Sequence, residues 1–586
     1  MNIYTQVRQA VIAAVAAAQR AGDLPVLDTL PSSIEASPPR EAGHGDAATN
    51  AAMVLARPMA RKPQEIAAVI ARHLNDWDSL ESAQIAGPGF INLTLKPRVW
   101  QEELRAILQA GIGYGDARLG QGEKINVEYV SANPTGPMHI GHTRNACFGD
   151  VLANLLAKAG WAVTREFYLN DGGGQVDILA RSAYLRYREA LGETIGEIPE
   201  GLYPGDYLNP VGEALAKRYG PDLRDKPEEV WLPVVRAFAV DQMMALIRED
   251  LALLGVKHDV FTSERALIDS GKVQECFDYL QEHGLIYQGV PAAPKGKKIE
   301  DWEPVELPML RATQFGDEVD RPMKKSDGRW VYAAADIAYH RDKFLRGHTW
   351  LLTVVGADHA GWVTRIRAGT RAVTNDKARF DAVLYNAVRL FRDAEPVKMS
   401  KRSGNFVTLR ELVEEVGPDA ARFTMLTRRH DQTLDFDFAK VREQSRENPV
   451  FYVQYAHARC CSVLRNAAQA LPGQPLDDVS LSTAAMGRLV ETDELALIRR
   501  LAQWPSFVES AAQALEPHRI AFFIYDLAGL LHALWNRGKD DPSLRFLVEQ
   551  DHDLSLARLA LVRATALVLA SGLAVLGVHP VEEMRA

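Results

Sequence analysis

Cysteine is scarce in this sequence: only Cys147, Cys276, Cys460 and Cys461 occur among 586 residues, and none forms a CxxC pair. This scarcity argues against a structural zinc site and against a disulfide framework, and it favours a reducing compartment. The N-terminal stretch 7–22 has the pattern of an amphipathic helix without a cleavage site, so no secretory leader is predicted. We therefore expect a cytoplasmic protein that has no structural zinc or other metal-ligand set.

Long hydrophobic runs, an excess of basic charge and low-complexity segments are also lacking. The longest apolar run, 564–578, is shorter than the ~20 residues that a membrane span needs, and we expect a buried core helix and no membrane partner. The formal net charge of -9 provides no general attraction to nucleic acid, so an RNA partner would have to meet a locally basic surface. Such a stretch occurs at 438–465, where basic residues alternate with aromatic ones. A solvated helix face is the alternative interpretation.

The chain length predicts several domains, because one hydrophobic core stops growing well before 586 residues. Residues 1–112 combine helical and alternating patterns and predict a small α+β domain. Residues 113–437 predict an α/β domain with a parallel sheet, into which about 190–300 is inserted. Helical spacing dominates 438–586 and predicts an all-α helical bundle.

The predicted parallel sheet begins with a βαβ unit at 124–169, where two β-branched runs flank a Pro/Gly loop and an apolar-periodic helix. Further strand or strand-to-loop candidates lie at 330–340, 349–362 and 381–391, and each ends in polar residues. Loops that follow parallel strands gather at one edge of the sheet, where ligands bind. The loop after the first strand is therefore a candidate site.

That loop contains His139-Ile-Gly-His142 within the sequence NPTGPMHIGHTRNA. The amides at a helix N-terminus favour an anion, and Gly141 allows close approach of a nucleotide to the backbone. The two imidazoles could donate hydrogen bonds to phosphate oxygens as charge shifts during attack on an α-phosphate. The alternative is that both histidines only cap the helix or the turn.

A second basic loop lies far downstream, where Lys398-Met-Ser-Lys401 precedes Thr408 and Glu411, a capping-box pair that predicts a helix start. Compact ammonium groups at such a place could neutralise a departing pyrophosphate. By itself this segment could equally be a solvated basic loop.

The two motifs in this order resemble the paired signatures of class I aminoacyl-tRNA synthetases. The first motif stands here as VEYVSANPTGPMHIGHTRNA, and that extended form resembles the bacterial arginyl-tRNA synthetase family. Other stretches resemble the same family in its order, namely HGDAATNAAM, YPGDY, DIAYHRDK, GADHAGW, LDFDF, NPVFYVQYAHAR and VLGVHPVEEM. The resemblance implies a Rossmann-like catalytic domain and a ligase that converts L-arginine and ATP to arginyl-adenylate and transfers arginine to tRNA(Arg). It also implies Mg²⁺ accompanying ATP, and we expect a monomer.

The resemblance assigns an arginine-binding set: Glu128, Asn133, Tyr332, Asp336, Asp358 and His359. Carboxylates are needed because bidentate, charge-assisted pairing distinguishes a guanidinium from other side chains. Glu128 and Asp336 are the expected pair, Tyr332 would pack on the substrate, and Asn133 would hold its backbone end. The alternatives are an ion pair within the sheet for Glu128 and a helix cap for Asp336.

The resemblance also implies the ATP-binding and catalytic residues. The ATP-binding set is Ala132, Asn133, Pro134, Thr135, Gly136, Pro137, Met138, His139, Ile140, Gly141, His142, Gly356, Asp358, Met399 and Ser400. The catalytic set is His139, His142, Lys398 and Lys401. The second motif departs from the common KMSKS form, since Arg402 stands where serine is usual.

Contacts to tRNA are implied at both ends of the chain. Asn50 matches the family's base-contacting position in the N-terminal domain, and Tyr452, Tyr455, His457 and Arg459 are candidates in the helical domain. Several of these aromatic residues must belong to the core instead.

Three other functions remain open from the sequence. A nucleotidyltransferase for a smaller substrate shares the His139 loop but does not need the helical C-terminal third. A non-catalytic RNA-binding relative would keep the fold without pyrophosphate exchange. Another class I synthetase is the nearest alternative, although cysteinyl-type enzymes carry zinc ligands that this sequence lacks.

Overall fold

The computed structural model describes residues 2–39, 43–291, 305–393, 395–397 and 407–584. Three structural regions follow one another along this part of the chain, and the middle one contains the predicted nucleotide loop.

The N-terminal region packs helices on one face of a small antiparallel sheet. Its elements are α1 (Ile3–Arg20), β1 (Ala36–Ser37), β2 (Ala47–Thr49), α2 (Ala51–Ala56), α3 (Pro63–Leu74), β3 (Leu80–Ala86), β4 (Phe90–Leu95) and α4 (Pro97–Ala110). The strand order is β1-β2-β4-β3. Alternation along β4 sends Ile91, Leu93 and Leu95 into the core and leaves Phe90 and Asn92 on the outer face. That face is available to a partner.

The middle region is built on a parallel sheet. Its elements up to the small antiparallel sheet are β5 (Lys124–Glu128), α5 (Ile140–Lys158), β6 (Ala162–Leu169), α6 (Gly174–Ala190), α7 (Asn209–Tyr219), α8 (Glu228–Leu253), β7 (Val260–Ser263), α9 (Glu264–Asp269), α10 (Lys272–Glu282), β8 (Ile286–Gly289), β9 (Leu307–Leu310) and β10 (Arg321–Pro322). The remaining elements are α11 (Tyr332–Leu345), β11 (Trp350–Gly356), α12 (Ala360–Thr374), β12 (Arg379–Tyr385), β13 (Val388–Arg392), β14 (Glu395–Pro396), α13 (Leu409–Val416), α14 (Pro418–Met425) and β15 (Leu434–Asp437).

The order of the main sheet is β12-β11-β5-β6-β7, and every neighbouring pair is parallel. The chain starts in the centre at β5, moves outward to β7, and later returns to the other side of β5 with β11. The strand order reverses between β5 and β11, and open α/β sheets bind ligands beside the carboxyl ends of strands at such a point. The loop after β5 and the turn after β11 therefore share the binding edge.

Two details differ from the sequence predictions. Residues 330–340 were predicted as a strand, but the chain from Tyr332 is helix α11. The β-branched and aromatic start of this stretch suggests a strand, whereas three consecutive alanines favour the helix that forms. In addition, β7 lies inside the predicted insertion at about 190–300 but pairs with β6, so that range includes an edge strand of the main sheet.

The C-terminal region is helical, as predicted. Its helices are α15 (Phe438–Arg442), α16 (Pro449–Ala470), α17 (Asp478–Ser482), α18 (Thr492–Ala502), α19 (Trp504–Ala514), α20 (His518–Asp540) and α21 (His552–Leu576). Among the described residues, α8 and α21 are long and apolar enough to cross a membrane by length and composition alone. In α21, 83% of the apolar window is buried inside the protein. This confirms the prediction of a buried core helix.

Arg422, a buried arginine on α14, joins α5 to the end of α21. Arg422 donates to the carboxylate of Asp150 on α5 at 2.5 Å, to the carbonyl of Leu576 at 2.9 Å and to that of Leu254 at 2.8 Å. Helix α5, which follows the predicted nucleotide loop, is therefore held against the end of α21.

Candidate active site

The loop after β5 is held in a strained turn. Val130 and Ser131 have φ of 67° and 41°, a backbone region that is uncommon for non-glycine residues and rare for β-branched ones. Asn145 on α5 stabilises the turn: its Oδ1 accepts the amide of Val130 at 2.8 Å, and its Nδ2 donates to the carbonyl of Val354 at 3.1 Å. One side chain thus ties β5 and β11 together at the switch point.

The two histidines of the first motif form a reciprocal cap on α5. His139 is the N-cap, and its Nδ1 accepts the amide of Gly141 at 3.1 Å, while the Nδ1 of His142 accepts the amide of His139 at 3.4 Å. The rings stack with centroids 3.9 Å apart. The capping alternative is therefore correct for the Nδ1 atoms, and any contact with phosphate oxygens would come from the Nε2 atoms.

The rest of the predicted ATP loop lines the same edge. The carbonyl of Thr135 accepts the Tyr207 hydroxyl at 2.8 Å, and a Cβ on Gly136 would lie only 3.1 Å from that tyrosine ring. Met138 is fully buried, whereas Asn133 is exposed and its Nδ2 donates to Gln175 at 2.9 Å. Within the loop, Met138 is therefore part of the core, whereas the polar side chain of Asn133 faces solvent.

The turn after β11 supplies the opposite side of the edge. Gly356 ends the strand, and the absence of a side chain there leaves room for the carboxylate of Asp358, which would lie 2.4 Å from a Cβ at this position. Asp358 and His359 follow in a single helical turn and are exposed. Nε2 of His359 lies 3.7 Å from Oδ2 of Asp358. Both side chains can reach a ligand in the crevice.

The second basic motif falls outside the described residues, and with it Lys398, Met399, Ser400 and Lys401. The chain is described again from Val407, and it lies directly against the first motif. Thr408 forms an antiparallel bridge with His139, and the amide of Leu409 donates to the carbonyl of Met138 at 2.8 Å. The sequence that follows the second motif is therefore adjacent to the His139 loop.

Glu128 is buried at the end of β5, and Lys343 on α11 neutralises it. The ammonium group of Lys343, fully buried, donates to Oε2 of Glu128 at 2.5 Å, and the hydroxyl of Ser131 donates to Oε1 at 3.2 Å. The ion pair that was the alternative for Glu128 does form, although its partner lies on a helix rather than in the sheet. The charge of Glu128 is therefore already matched by Lys343. Together with Asp336, Glu264 and Tyr168, Glu128 forms the acidic group that we call the candidate arginine pocket.

Asp336 lies in the second turn of α11, so it is not the helix cap considered as its alternative. Its Oδ2 accepts Nε1 of Trp362 at 2.8 Å. Burial is the main cause that raises the pKa of Asp336 to about 7; Glu128 and Glu264 raise it further, and Trp362 and Arg365 oppose them. Asp336 is partly buried, and a carboxylate with a raised pKa can bind a cation in its ionised form.

Glu264, the first residue of α9, is a second carboxylate of this pocket that the sequence analysis missed. It is only 4% exposed, and its Oε2 has no hydrogen-bond partner within the described part of the chain. Burial raises its pKa, while the amide of Gly172 opposes the effect. A Cβ on Gly172 would lie 3.1 Å from this carboxylate, so the glycine makes room for it. The Ser263-Glu264 helix start was its only sequence signal.

Tyr168 lies between the acidic groups. Burial raises the pKa of its phenol, and Asp336, Glu264 and Glu128 add to the increase in that order. Its hydroxyl is buried and has no hydrogen-bond partner among the residues that the structure describes. Tyr332, in contrast, is 65% exposed at the mouth of the pocket, near Gly173. Asp336 and Glu264 thus provide carboxylates, and Tyr168 provides a phenol, beside the exposed ring of Tyr332. These acceptors suit a guanidinium, which has five hydrogen-bond donors.

Two of the predicted RNA contacts take internal partners. The amide side chain of Asn50 accepts from the backbone of Glu35 at 2.8 Å and donates to the carbonyl of Ser33 at 3.0 Å. His457 is buried and contacts the carbonyl of Val581 at 2.9 Å through Nδ1, so it is one of the candidates that belong to the core. Helical spacing placed His457 on the core face of α16.

Tyr455 and Arg459 line a polar cavity of about 440 Å³ with Arg465, Trp535 and Lys539. Arg459 donates to the Tyr455 hydroxyl at 2.8 Å and lies over its ring at 4.4 Å. Tyr452 is partly buried and contacts the rings of neighbouring helix α20.

Family models match in chain order along most of the sequence. The model described as arginyl tRNA synthetase N terminal domain matches 2–95, and tRNA synthetases class I (R), catalytic domain, matches 103–196. The models described as tRNA synthetases class I (I, L, M and V) and as DALR anticodon binding domain match 325–437 and 453–584.

Curated relatives match over the full length. The arginine–tRNA ligase of Nitrobacter hamburgensis is 56% identical over 591 residues, which cover 100% of this chain and 99% of the relative. The chain belongs to the arginine–tRNA ligase family. Another arginine–tRNA ligase, from Paracoccus denitrificans, is 55% identical over 586 residues and is covered completely.

A solved arginyl-tRNA synthetase from Thermus thermophilus has the same fold, with a TM-score of 0.72 at 22% identity, over 98% of this chain and 100% of that one. The predicted family, fold class and enzyme class are confirmed. Full-length membership of the arginine–tRNA ligase family also decides against the smaller nucleotidyltransferases and the other class I synthetases.

Proposed function

We propose that this chain activates L-arginine with ATP, forming arginyl-adenylate and pyrophosphate, and then transfers arginine to the 3′ end of tRNA(Arg). The observation that carries the proposal is the cluster of carboxylates around Tyr168, at the end of β5 from which the His139 loop starts. Asp336 and Glu264 lie there with raised pKa values and form no ion pair within the described residues, whereas Glu128 is already matched by Lys343. A guanidinium would satisfy both carboxylates with bidentate, charge-assisted hydrogen bonds.

In the first step, a carboxylate oxygen of arginine attacks the α-phosphorus of ATP, and the bond to the β-phosphate oxygen breaks. The N-terminus of α5 and the imidazoles of His139 and His142 would stabilise the charge that develops on the phosphate oxygens. Ala132 to His142, with Gly356 and Asp358, form the loop and the turn that would hold the nucleotide. Asn133 and His359, both exposed on this edge, would hold the backbone end of arginine.

Lys398 and Lys401, with Met399 and Ser400, are proposed to serve the leaving pyrophosphate. Their support is the sequence motif together with the position of Thr408 against His139. Within the described residues, no group of three His, Cys, Asp or Glu side chains converges as metal ligands. We therefore assign no protein cage to Mg²⁺, which would enter with the phosphate oxygens of ATP, the hard ligands that it prefers.

In the second step, the terminal adenosine hydroxyl of tRNA attacks the carbonyl carbon of the mixed anhydride, and AMP leaves. Positioning supplies most of the acceleration of such a transfer, so no nucleophilic side chain is required. All four cysteines are free thiols, which fits the cytoplasm that we propose as the compartment, and we propose a monomer.

For tRNA, we propose the cavity around Tyr455 and Arg459 as a contact surface in the helical region. Arg465 and Lys539 add positive charge there, and Trp535 adds a stacking surface. Tyr452 would hold α16 against α20 next to the cavity through its contacts with Tyr525 and His532.

The N-terminal region offers a second surface, a groove of about 460 Å³ whose lining includes Phe90, Asn92 and Asn50. The amide of Asn50 is engaged with the chain at Ser33 and Glu35, so we propose that it shapes the groove. Phe90 is 38% exposed and could stack on a base.

Replacing Phe90 by alanine should lower kcat/KM for tRNA by about 10-fold, because stacking of one base is worth roughly 1–3 kcal/mol. The KM values for arginine and ATP should stay unchanged in pyrophosphate exchange. The matched control is Phe522→Ala, which removes another exposed phenylalanine, on α20. Equal effects of both variants on tRNA would contradict the groove assignment.

The affinity for arginine should depend on pH through Asp336. Its pKa of about 7 means that the free pocket is mostly protonated below neutrality, and the guanidinium binds the ionised form. The dissociation constant measured by calorimetry should therefore be lowest above pH 7 and rise by nearly tenfold per pH unit as pH falls below it. Asp336→Asn should flatten this profile, and an unchanged profile in the variant would assign the titration to another group.

The function itself is tested by aminoacylation with each of the twenty amino acids, with and without total tRNA. Charging of tRNA by arginine alone is expected. Charging by another amino acid, or adenylate formation without any transfer to tRNA, would overturn the proposal.

A further inference from the structure

A buried carboxylate outside both motifs contacts both of their neighbourhoods. Asp250 lies near the carboxyl end of α8 and is fully buried, with 0% of its side chain exposed. Helix α8 belongs to the range that the sequence predicted as an insertion, and nothing in the sequence motifs indicated a role for this residue.

One partner of Asp250 is Arg410, the second residue of α13. The guanidinium Nη2 lies 3.0 Å from Oδ1 of Asp250. The backbone of Met138 also lies near the carboxylate and lowers its pKa, although neither carboxylate oxygen has a hydrogen-bond partner within the described residues. Burial is the main influence on the pKa of Asp250 and raises it, whereas Arg410 and the Met138 backbone lower it, so these neighbours offset only part of the cost of burying the charge.

The same two chain segments are also joined directly. The amide of Leu409 donates to the carbonyl of Met138 at 2.8 Å, and Thr408 forms the antiparallel bridge with His139. The carbonyl of Met138 is therefore held by the start of α13. Asp250 in turn holds the start of α13 against α8, because Arg410 belongs to the α13 segment.

We propose that Asp250 is a positioning residue for adenylate formation, which clamps the Met138–His139 backbone against the start of α13 through Arg410. The inference rests on the proposed function, because it acts through the phosphate contacts of His139. Asp250 itself does not touch the substrate. It fixes the backbone immediately before the α5 cap and thereby the place of both imidazoles.

A loosened clamp should slow the chemical step more than it weakens binding. Misplacement of a catalytic group by about 1 Å can reduce a rate on the order of 100-fold, even when ground-state contacts survive. The arginine pocket does not depend on this clamp, since Asp336 and Glu264 lie on α11 and α9. The arginine KM should therefore report folding of the site independently of the clamp.

The test compares Asp250→Asn, Arg410→Met, Arg410→Lys and the double variant Asp250→Asn/Arg410→Met in the full-length chain. Pyrophosphate exchange with tRNA present and melting temperature are measured for each. The matched control is Glu249→Gln: its carboxylate lies 3.5 Å from the same guanidinium but is 69% exposed, so its pairing should contribute little.

We expect kcat to fall by about 10- to 100-fold in Asp250→Asn and in Arg410→Met, with the arginine KM within about twofold of the wild type. Arg410→Lys should recover part of the rate, because it keeps the charge. The double variant should be no slower than the slower single variant, since both remove the same interaction. Glu249→Gln should behave as the wild type.

An unchanged kcat in Arg410→Met would overturn the clamp, and so would additive losses in the double variant or a loss confined to melting temperature. If Asp250→Asn does not fold, the two Arg410 variants test the proposal instead. The Arg410 side chain is 38% exposed, so its replacement should leave the protein folded. A wild-type chain that fails to charge arginine would instead refute the proposed function, and the two failures are therefore distinguishable.

Discussion

Asparagine in place of Asp336 should raise the arginine KM by about 100-fold, because loss of one partner in a buried, hydrogen-bonded charge pair costs on the order of 2–5 kcal/mol. The change keeps the shape of the side chain and its contact with Trp362 but removes the charge. The ATP KM should stay within about twofold, since the nucleotide loop after β5 does not use this carboxylate. Steady-state pyrophosphate exchange in the presence of tRNA measures both constants.

Two further variants make the result specific to the pocket. Glu264→Gln should raise the arginine KM in the same direction, because Oε2 of Glu264 lacks a hydrogen-bond partner within the described chain. The matched control is Asp376→Asn, which removes a 55% exposed carboxylate paired with Arg371 after the end of α12. An unchanged arginine KM in Asp336→Asn would mean that the guanidinium binds elsewhere.

Methionine in place of Lys343 should destabilise the protein by about 3–5 kcal/mol, because it leaves Glu128 buried without its counter-charge. The ammonium group lies 2.5 Å from Oε2 of Glu128 and also over the ring of Tyr339 at 4.0 Å, so methionine fills a similar volume but matches neither interaction. The expected result is a clear fall in melting temperature, measured by calorimetry together with the loss of pyrophosphate exchange.

The control for this prediction is Lys272→Met, whose ammonium group pairs with Asp342 at 2.6 Å but is 47% exposed. Exposed pairs contribute roughly 0–1 kcal/mol, so this variant should melt close to the wild type. Adding Glu128→Gln to Lys343→Met should restore part of the lost stability, since the uncompensated charge then disappears. Equal melting of Lys343→Met and the wild type would show that Glu128 takes up a proton or another partner at little cost.

Elements with strong local patterns were predictable. The βαβ unit at 124–169, the cap at His139 and the buried helix α21 follow from β-branched runs, Pro/Gly loops and apolar periodicity, all of which act over a few residues. Helix α11 was not predictable in this way. Its aromatic and β-branched beginning indicated a strand, the three alanines that follow favour a helix, and packing against α12 accompanies the helix that forms.

The site was predictable only where its residues lie within motifs. His139, His142, Asp336 and Tyr332 were identified from their neighbours in the chain, whereas Glu264 carries no motif. The state of Glu128 could not be predicted either, because Lys343 lies 215 residues away in the sequence. Pairing over such distances leaves no local pattern.

By itself, the sequence determined the class of the protein: its parallel-sheet catalytic domain, its helical C-terminal region and the residues beside which a nucleotide and an arginine would bind. The tertiary structure alone decided which carboxylates hold an internal cation and which keep their charge for a ligand. It also placed Asp250 of α8 against Arg410 of α13. The physical reason is that burial and charge pairing depend on which distant segments fold against one another, whereas periodicity and turn chemistry are properties of neighbouring residues.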